Sequence, residues 1–266
     1  MTTLIKSSSN SKVKWLKSLH KNSIRRSEGV FVVEGIKEIA SALDNNYIPH
    51  SFFICPELYG ENIPESIMDN FSAITKDIFE KVSYRSGSDG MIAVFMSKQK
   101  TLAELNFPDN PFFIIVEAIE KPGNLGAIIR TADGAGADGV IICNENTDLF
   151  NPNVIRSSVG TIFNKQIVSA SNEDVFDFLQ NHEITPFGAI ITETALPYFR
   201  ADFTRPTAII LGTEHDGLSS FWQQRATPII IPMLGQNDSL NVSAASAVVS
   251  YEVLRQRIIN KHSLER

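Results

Sequence analysis

Arg130 stands six residues beyond Asn124 in the segment Pro122-Gly-Asn-Leu-Gly-Ala-Ile-Ile-Arg-Thr-Ala132. Leu125, Ile128, Ile129 and Ala132 recur at helical spacing, which gives the segment a buried stripe. Asn124 is a good helix N-cap, so the N–H groups that open this helix could face an anion. Arg130 lies beside the stripe, where a guanidinium is costly unless it meets a partner such as a phosphate. An arginine in such a place can also simply snorkel to solvent. The chemistry open to this segment is the binding of an anion such as a phosphate.

Two further segments share one plan. Ile209-Ile-Leu-Gly212-Thr-Glu214-His-Asp-Gly217-Leu-Ser219 runs from an apolar strand through a glycine-containing loop into a helix start. Ile229-Ile-Ile231-Pro-Met233-Leu-Gly235-Gln-Asn-Asp-Ser239-Leu240-Asn241-Val-Ser243-Ala-Ala245 repeats it. In open α/β sheets ligands sit where strand carboxyl ends deliver such loops, and a glycine lets a ligand come close to the backbone. Ala244, Ala245 and Ala247 would let the last helix pack closely on another backbone. One pattern is a decoy. Gly134-Ala-Gly-Ala-Asp-Gly139 matches the dinucleotide-binding fingerprint, but it joins a helix to a strand, the reverse of the order that motif needs. It reads as a helix cap and tight turn, and a nicotinamide oxidoreductase is set aside.

These loops need a scaffold. From Phe112 onward, short apolar strands alternate with helical segments: strands near 112–116, 139–143, 165–168, 187–191, 207–211 and 228–231, helices near 125–135, 153–158 and 172–180, and a long helix from Ser239. That alternation predicts a parallel sheet with helices on both faces. Upstream, strands near 31–33, 51–54, 71–74 and 91–96 with helices near 11–20, 36–43 and 64–70 form a smaller αβ unit. The turn-rich stretch Ser97–Pro111 divides the two, giving residues 1–97, a linker at 98–111 and a domain at 112–266.

The totals bound the partners. The 266-residue chain carries a net charge of −6, yet residues 1–26 hold seven cations and no acid. Lys6, Lys12, Lys14, Lys17, Lys21, Arg25 and Arg26 leave 17 cations against 30 acids in the remainder. A basic arm on an acidic body suits phosphates at one end, and taken alone it also reads as a solvated helix face. Cys55 and Cys143 lie in separate apolar segments, as buried thiols do, and the five histidines show no metal-ligand spacing, so no metal is expected. No apolar run reaches membrane-spanning length and the first residues lack a signal-peptide core, which predicts a cytoplasmic protein without a membrane partner.

Together, in this order and spacing and closing on Ser239-Leu-Asn-Val-Ser243, the three segments resemble the signature motifs of the SpoU (TrmH) family of RNA ribose 2′-O-methyltransferases, within the SPOUT superfamily. The N-terminal unit, with its Phe31-Val-Val-Glu-Gly35 start, is similar to the substrate-binding domain that many members carry. The resemblance implies a C-terminal α/β domain tied in a trefoil knot, a homodimer, and S-adenosylmethionine as cofactor. It places Gly212, Ile231, Met233, Gly235 and Leu240 at the cofactor and Arg130, Asn124, Ser239 and Asn241 at the reacting ribose. Glu214, Gly217 and Gly126 would support the motif loops, and Lys12, Lys14, Lys17, Lys21, Arg25 and Arg26 would meet RNA. Where many relatives have an aspartate before the first motif, this chain has Glu117. Arg130 acts in this reading either as a base or as an electrostatic stabiliser, and the permanent charge of a guanidinium favours the latter. Ribosomal RNA is favoured over transfer RNA as substrate. Base methylation by the same fold, and an RNA-binding assembly factor without catalysis, are the alternatives.

Overall fold

The computed structural model describes residues 4–60, 71–84, 87–213 and 215–264, in two compact units. The first unit contains α1 (Ser11–Ser18), α2 (Asn22–Glu28), β1 (Val30–Glu34), α3 (Ile36–Asp44), β2 (Pro49–Ile54), α4 (Pro56–Tyr59), β3 (Phe71–Ala73), α5 (Lys76–Val82) and β4 (Met91–Met96). The second opens with β5 (Phe112–Glu117), α6 (Pro122–Gly134) and β6 (Gly139–Cys143). The chain then returns to the first unit for α7 (Pro152–Ser157). It completes the second with β7 (Ile167–Ala170), α8 (Asn172–Asn181), β8 (Thr185–Ala189), β9 (Leu196–Pro197), β10 (Thr207–Leu211), α9 (Ser220–Gln223), β11 (Thr227–Ile230) and α10 (Val242–Leu264). The helix expected at 64–70 lies outside the described residues.

In the first unit the strands run β1-β4-β2-β3, with β3 parallel to β2 and the other pairs antiparallel. Asn10 caps α1 by accepting from the Lys12 N–H at 2.9 Å, and Val13, Leu16 and Leu19 enter the core. Lys14, Lys17, Lys21 and Arg26 stay exposed, while the exposed Lys12 donates from Nζ to Ser72 Oγ at 3.1 Å. Arg25 departs from the expected basic face. It is 4% exposed, donates to the Leu19 carbonyl at 2.7 Å and pairs with Asp148. Its charge is consumed inside the fold, so it is withdrawn from the RNA-contacting set.

Asp148 belongs to the segment 148–164, which the sequence assigns to the later domain but which packs into the first unit. Aromatic stacking explains the transfer. Phe150 lies on Phe31 with ring centroids 4.2 Å apart, and Phe163 reaches the same ring at 5.9 Å. Ser41 Oγ also donates to the Gly160 carbonyl at 3.0 Å.

The second unit is a seven-stranded, wholly parallel sheet in the order β7-β6-β5-β10-β8-β11-β9. Every residue of β5, β6 and β10 is buried, as strands covered on both faces must be. Phe113 and Ile115 share a core with Val175, Leu179 and Trp222. The stretch read as a linker belongs to this unit: Leu102, Leu105 and Phe107 pack on that core, and Phe107 meets Phe113 edge-on at 5.3 Å. Arg257 of α10 secures the strand entries by donating to the carbonyls of Asn110, Pro111, Phe203 and Arg205. The decoy glycines behave as expected, with Gly136 at φ +71° in the turn from α6 into β6. Among the described residues, no helix is long and apolar enough to cross a membrane.

Candidate active site

The loop after β10 folds back on itself. Thr213 N–H donates to the Gly217 carbonyl at 3.0 Å, Gly217 N–H returns to the Thr213 carbonyl at 3.2 Å, and Asp216 N–H donates to Thr213 Oγ1 at 2.9 Å. Gly217 turns the chain at φ +68°. A Cβ on Gly212 would lie 2.1 Å from Gly217 C and 2.4 Å from Leu218 N. The glycine that the sequence offered to a ligand is thus required by the loop's own backbone.

Glu117, at the carboxyl end of β5, fastens the far side of that loop. It is 3% exposed and accepts from Ser219 N–H at 2.8 Å, Ser219 Oγ at 2.7 Å and Asn172 Nδ2 at 2.6 Å. Asn172 Oδ1 in turn accepts from Trp222 Nε1 at 2.8 Å. Glu117 therefore joins β5, α8 and α9. Burial, with Glu117 adding to it, pushes the nearby Cys143 thiol up to about 12, so it stays protonated and is no nucleophile.

The first and third segments meet through two asparagines. Asn241 Nδ2 donates to Asn124 Oδ1 at 3.3 Å, and Asn241 Oδ1 caps α10 by accepting from Ser243 N–H at 2.9 Å and Ser243 Oγ at 2.6 Å. Helix α10 accordingly begins at Val242, after Ser239 and not at it. Asn124 is not the cap of α6. Pro122 opens that helix, since proline fits a first helical position, and Lys121 takes the cap position, leaving Asn124 to face Asn241. Ser239 Oγ donates to Asp238 Oδ1 at 2.9 Å. The close-packed small residues of α10 are Ser246 and Ser250, whereas Ala244 is exposed and Ala245 faces a cavity.

That cavity, of about 560 Å³, opens at the carboxyl ends of β8, β10 and β11. Of the residues expected at a cofactor, Gly212, Ile231, Met233 and Leu240 line it, together with Gly217, Ser239 and Asn241. Gly235 does not, Gly126 is buried within α6, and Glu214 lies outside the described residues. Arg130 is exposed, is absent from the lining, and has no hydrogen-bond or ion-pair partner among the described residues. The sequence reading missed Ala189–Thr192, Lys121, His215, Asp216 and Asp238, all of which line the cavity. The strand-end rule that singled out β10 and β11 applies equally to β8 and would have found the first of these.

The SpoU rRNA methylase family model matches residues 111–251, and the MRM3-like substrate binding domain model matches residues 10–93. The chain belongs to the SpoU rRNA methylase family. It is 28% identical to the 23S rRNA (guanosine(2553)-2′-O)-methyltransferase RlmP of Bacillus subtilis, over 94% of this chain and 98% of that one. It is similar to a solved RNA 2′-O ribose methyltransferase at 34% identity and TM-score 0.81, covering 96% of this chain and all of the other. An AdoMet-bound rRNA methyltransferase of Sinorhizobium meliloti matches at 25% identity and TM-score 0.86, covering 96% and 98% of the two chains. The substrate-binding match lies within the first unit, whereas the SpoU match takes in most of the second unit and segment 148–164 of the first.

Proposed function

We propose that this SpoU protein transfers the methyl group of S-adenosylmethionine to a ribose 2′-hydroxyl of structured RNA, ribosomal RNA in preference to transfer RNA. The observation that carries the reading is the meeting of Asn124 and Asn241 beside a cavity lined by Ser239, Gly212 and Ile231. The cavity fits the cofactor. Its volume lies within the ~300–1,000 Å³ of small-molecule sites. Ile190, Leu218, Ile229 and Ile231 offer an apolar slot for a flat heterocycle, and Asp216 suits a cationic ligand. The bound cofactor supplies an electrophilic methyl on a sulfonium.

The protein's task is then the weak nucleophile. Asn124, Ser239 and Asn241 orient the 2′-hydroxyl, and alignment of this kind can contribute roughly 7–11 kcal/mol. Arg130 is a permanent cation and stabilises phosphate and developing alkoxide. Its absence from the cavity of its own chain favours a homodimer in which the partner's Arg130 reaches the opening. Insertion of β10 between β5 and β8, with the loops that follow β10 and β11 both at the carboxyl ends of the strands, supports a C-terminal trefoil knot. Lys12, Lys14, Lys17, Lys21 and Arg26 are the cations proposed to track RNA phosphates. An RNA substrate of this kind goes with a cytoplasmic protein.

The test is incubation with methyl-labelled S-adenosylmethionine and unmodified ribosomal or transfer RNA, followed by alkaline digestion. Alkali cleaves only beside a free 2′-hydroxyl. Label in alkali-resistant dinucleotides from ribosomal RNA is the expected result, and label in mononucleotides would move the reaction to a base and refute it.

A further inference from the structure

Methyl transfer from a sulfonium to a 2′-hydroxyl releases one proton, and that proton needs an acceptor. Arg130 cannot serve, because guanidinium stays protonated in proteins. Asn124 and Asn241 are amides without basicity at neutral pH, and their side chains already engage each other. The Ser239 hydroxyl can take a proton only if it passes its own onward. In this structure it has somewhere to pass it, since Ser239 Oγ donates to Asp238 Oδ1 at 2.9 Å.

Resting on the methyltransferase reading above, we propose that Asp238 accepts the substrate proton through Ser239. The 2′-oxygen forms its bond to the methyl carbon as the carbon–sulfur bond breaks and leaves its electron pair on sulfur as a neutral thioether. The 2′-hydroxyl proton moves to Ser239 Oγ while the Ser239 proton moves to the Asp238 carboxylate. Asp238 is exposed, so it returns the proton to water between turnovers.

The other titratable groups lining the cavity are Lys121 at the entry to α6 and His215 and Asp216 on the β10 turn. Glu214 lies outside the described residues. The Lys121 ammonium has no acceptor site. His215 and Asp216 have no hydrogen bond to the Ser239 hydroxyl, and the Asp216 N–H is bound within its own turn. Asp238 alone among the described groups combines a place in the cavity wall with a direct hydrogen bond to the serine. It acts through another residue, so it is a positioning residue whose signature is in the pH dependence.

The experiment compares wild type, D238N, D238E, S239A and the D238N/S239A double variant on in vitro transcribed 23S ribosomal RNA. Binding of S-adenosylmethionine is measured by calorimetry alongside. D238N should lose about 100-fold in kcat, within the 10²–10⁴ that general acid–base groups contribute. Its cofactor Kd should stay within about threefold of wild type. Its rate should climb about tenfold per pH unit as hydroxide replaces the missing acceptor, whereas the wild-type rate should stay flat from about pH 6 to 8. D238E should recover most of the rate, and the double variant should be no slower than the slower single variant, as for residues that act as a unit. A D238N enzyme with near-normal kcat and a flat profile overturns the proposal. So does a loss of activity that tracks loss of cofactor binding, which would make Asp238 a cofactor ligand. Wild-type protein that binds cofactor but labels no RNA overturns the underlying reading and the proposal with it, a result separate from any Asp238 effect.

Discussion

Gly212→Ala is a severe test of how the cavity at the strand ends is built. The added Cβ would sit 2.1 Å from Gly217 C, 2.2 Å from Gly217 O and 2.4 Å from Leu218 N. All three are backbone atoms, so no side-chain rotation relieves the clash. Residues 212 and 217–218 must part by about an ångström, which breaks the paired Thr213–Gly217 hydrogen bonds and shifts Leu218, 3% exposed in the core. Two net backbone hydrogen bonds are worth about 1 kcal/mol each, and overpacking a core position costs about 1–3 kcal/mol. The substitution should therefore destabilise by about 3–5 kcal/mol, which for a domain of this size lowers Tm by about 6–20 °C. If the loop must reclose to bind, the same energy weakens S-adenosylmethionine roughly 140- to 4,000-fold. Calorimetric titration and thermal unfolding read both effects. Gly235→Ala is the control, because nothing lies within 4 Å of its Cβ, and its stability should stay within about 0.5 kcal/mol of wild type. G212A with normal Tm and cofactor affinity would refute the assignment of Gly212 to backbone closure.

Phe150→Ala should cost about 3–5 kcal/mol, since it removes the ring stacked on Phe31, and chemical denaturation that moves by less than 1 kcal/mol would show that segment 148–164 is not part of the first unit's core. Lys14→Ala and Lys17→Ala should each weaken binding to 23S ribosomal RNA and lower the salt slope by about 0.7–0.9 for each phosphate the lysine neutralises, with Tm unchanged. Arg25→Ala should instead destabilise the fold by about 3 kcal/mol, by removing a buried cation and leaving the half-buried Asp148 without its partner, and a pure binding defect would return Arg25 to the RNA face. Burial raises the Asp138 carboxyl above its ordinary range against the opposing pull of the Phe112 N–H, Arg257 and Lys165. A raised acid contributes stability below the ordinary aspartate range and loses it as pH rises through its folded value. Asp138→Asn keeps an acceptor for Phe112 N–H and should be at least as stable as wild type at pH 7, so a lower denaturation midpoint there would contradict that sign.

Much of the scaffold was readable from local pattern alone. The apolar runs of β5, β6 and β10 and the stripe of α6 are short-range signals, because burial imposes a period on neighbouring residues. The inverted order of helix and strand around Gly134–Gly139 likewise sufficed to dismiss a dinucleotide site. The reading failed where local patterns carry no address. Nothing in the sequence around Phe150 and Phe163 says that they belong with Phe31, more than a hundred residues away, and a turn-rich stretch at 97–111 looks like a linker until Leu102, Leu105 and Phe107 find a core.

The sequence by itself determined the parallel α/β scaffold, the three segments of the site and the basic helix, since each depends on residue type and spacing within one stretch of chain. Only the tertiary structure decided what each residue does there. It set Asn124 against Asn241, gave Gly212 to its own loop, took Arg25 into an ion pair, made Glu117 the tie between β5 and Ser219, and put Asp238 at the cavity wall bonded to Ser239. The physical reason is common to all five. A hydrogen bond, a clash or an ion pair depends on distances of a few ångströms, and those between distant residues exist only once the sheet order is fixed.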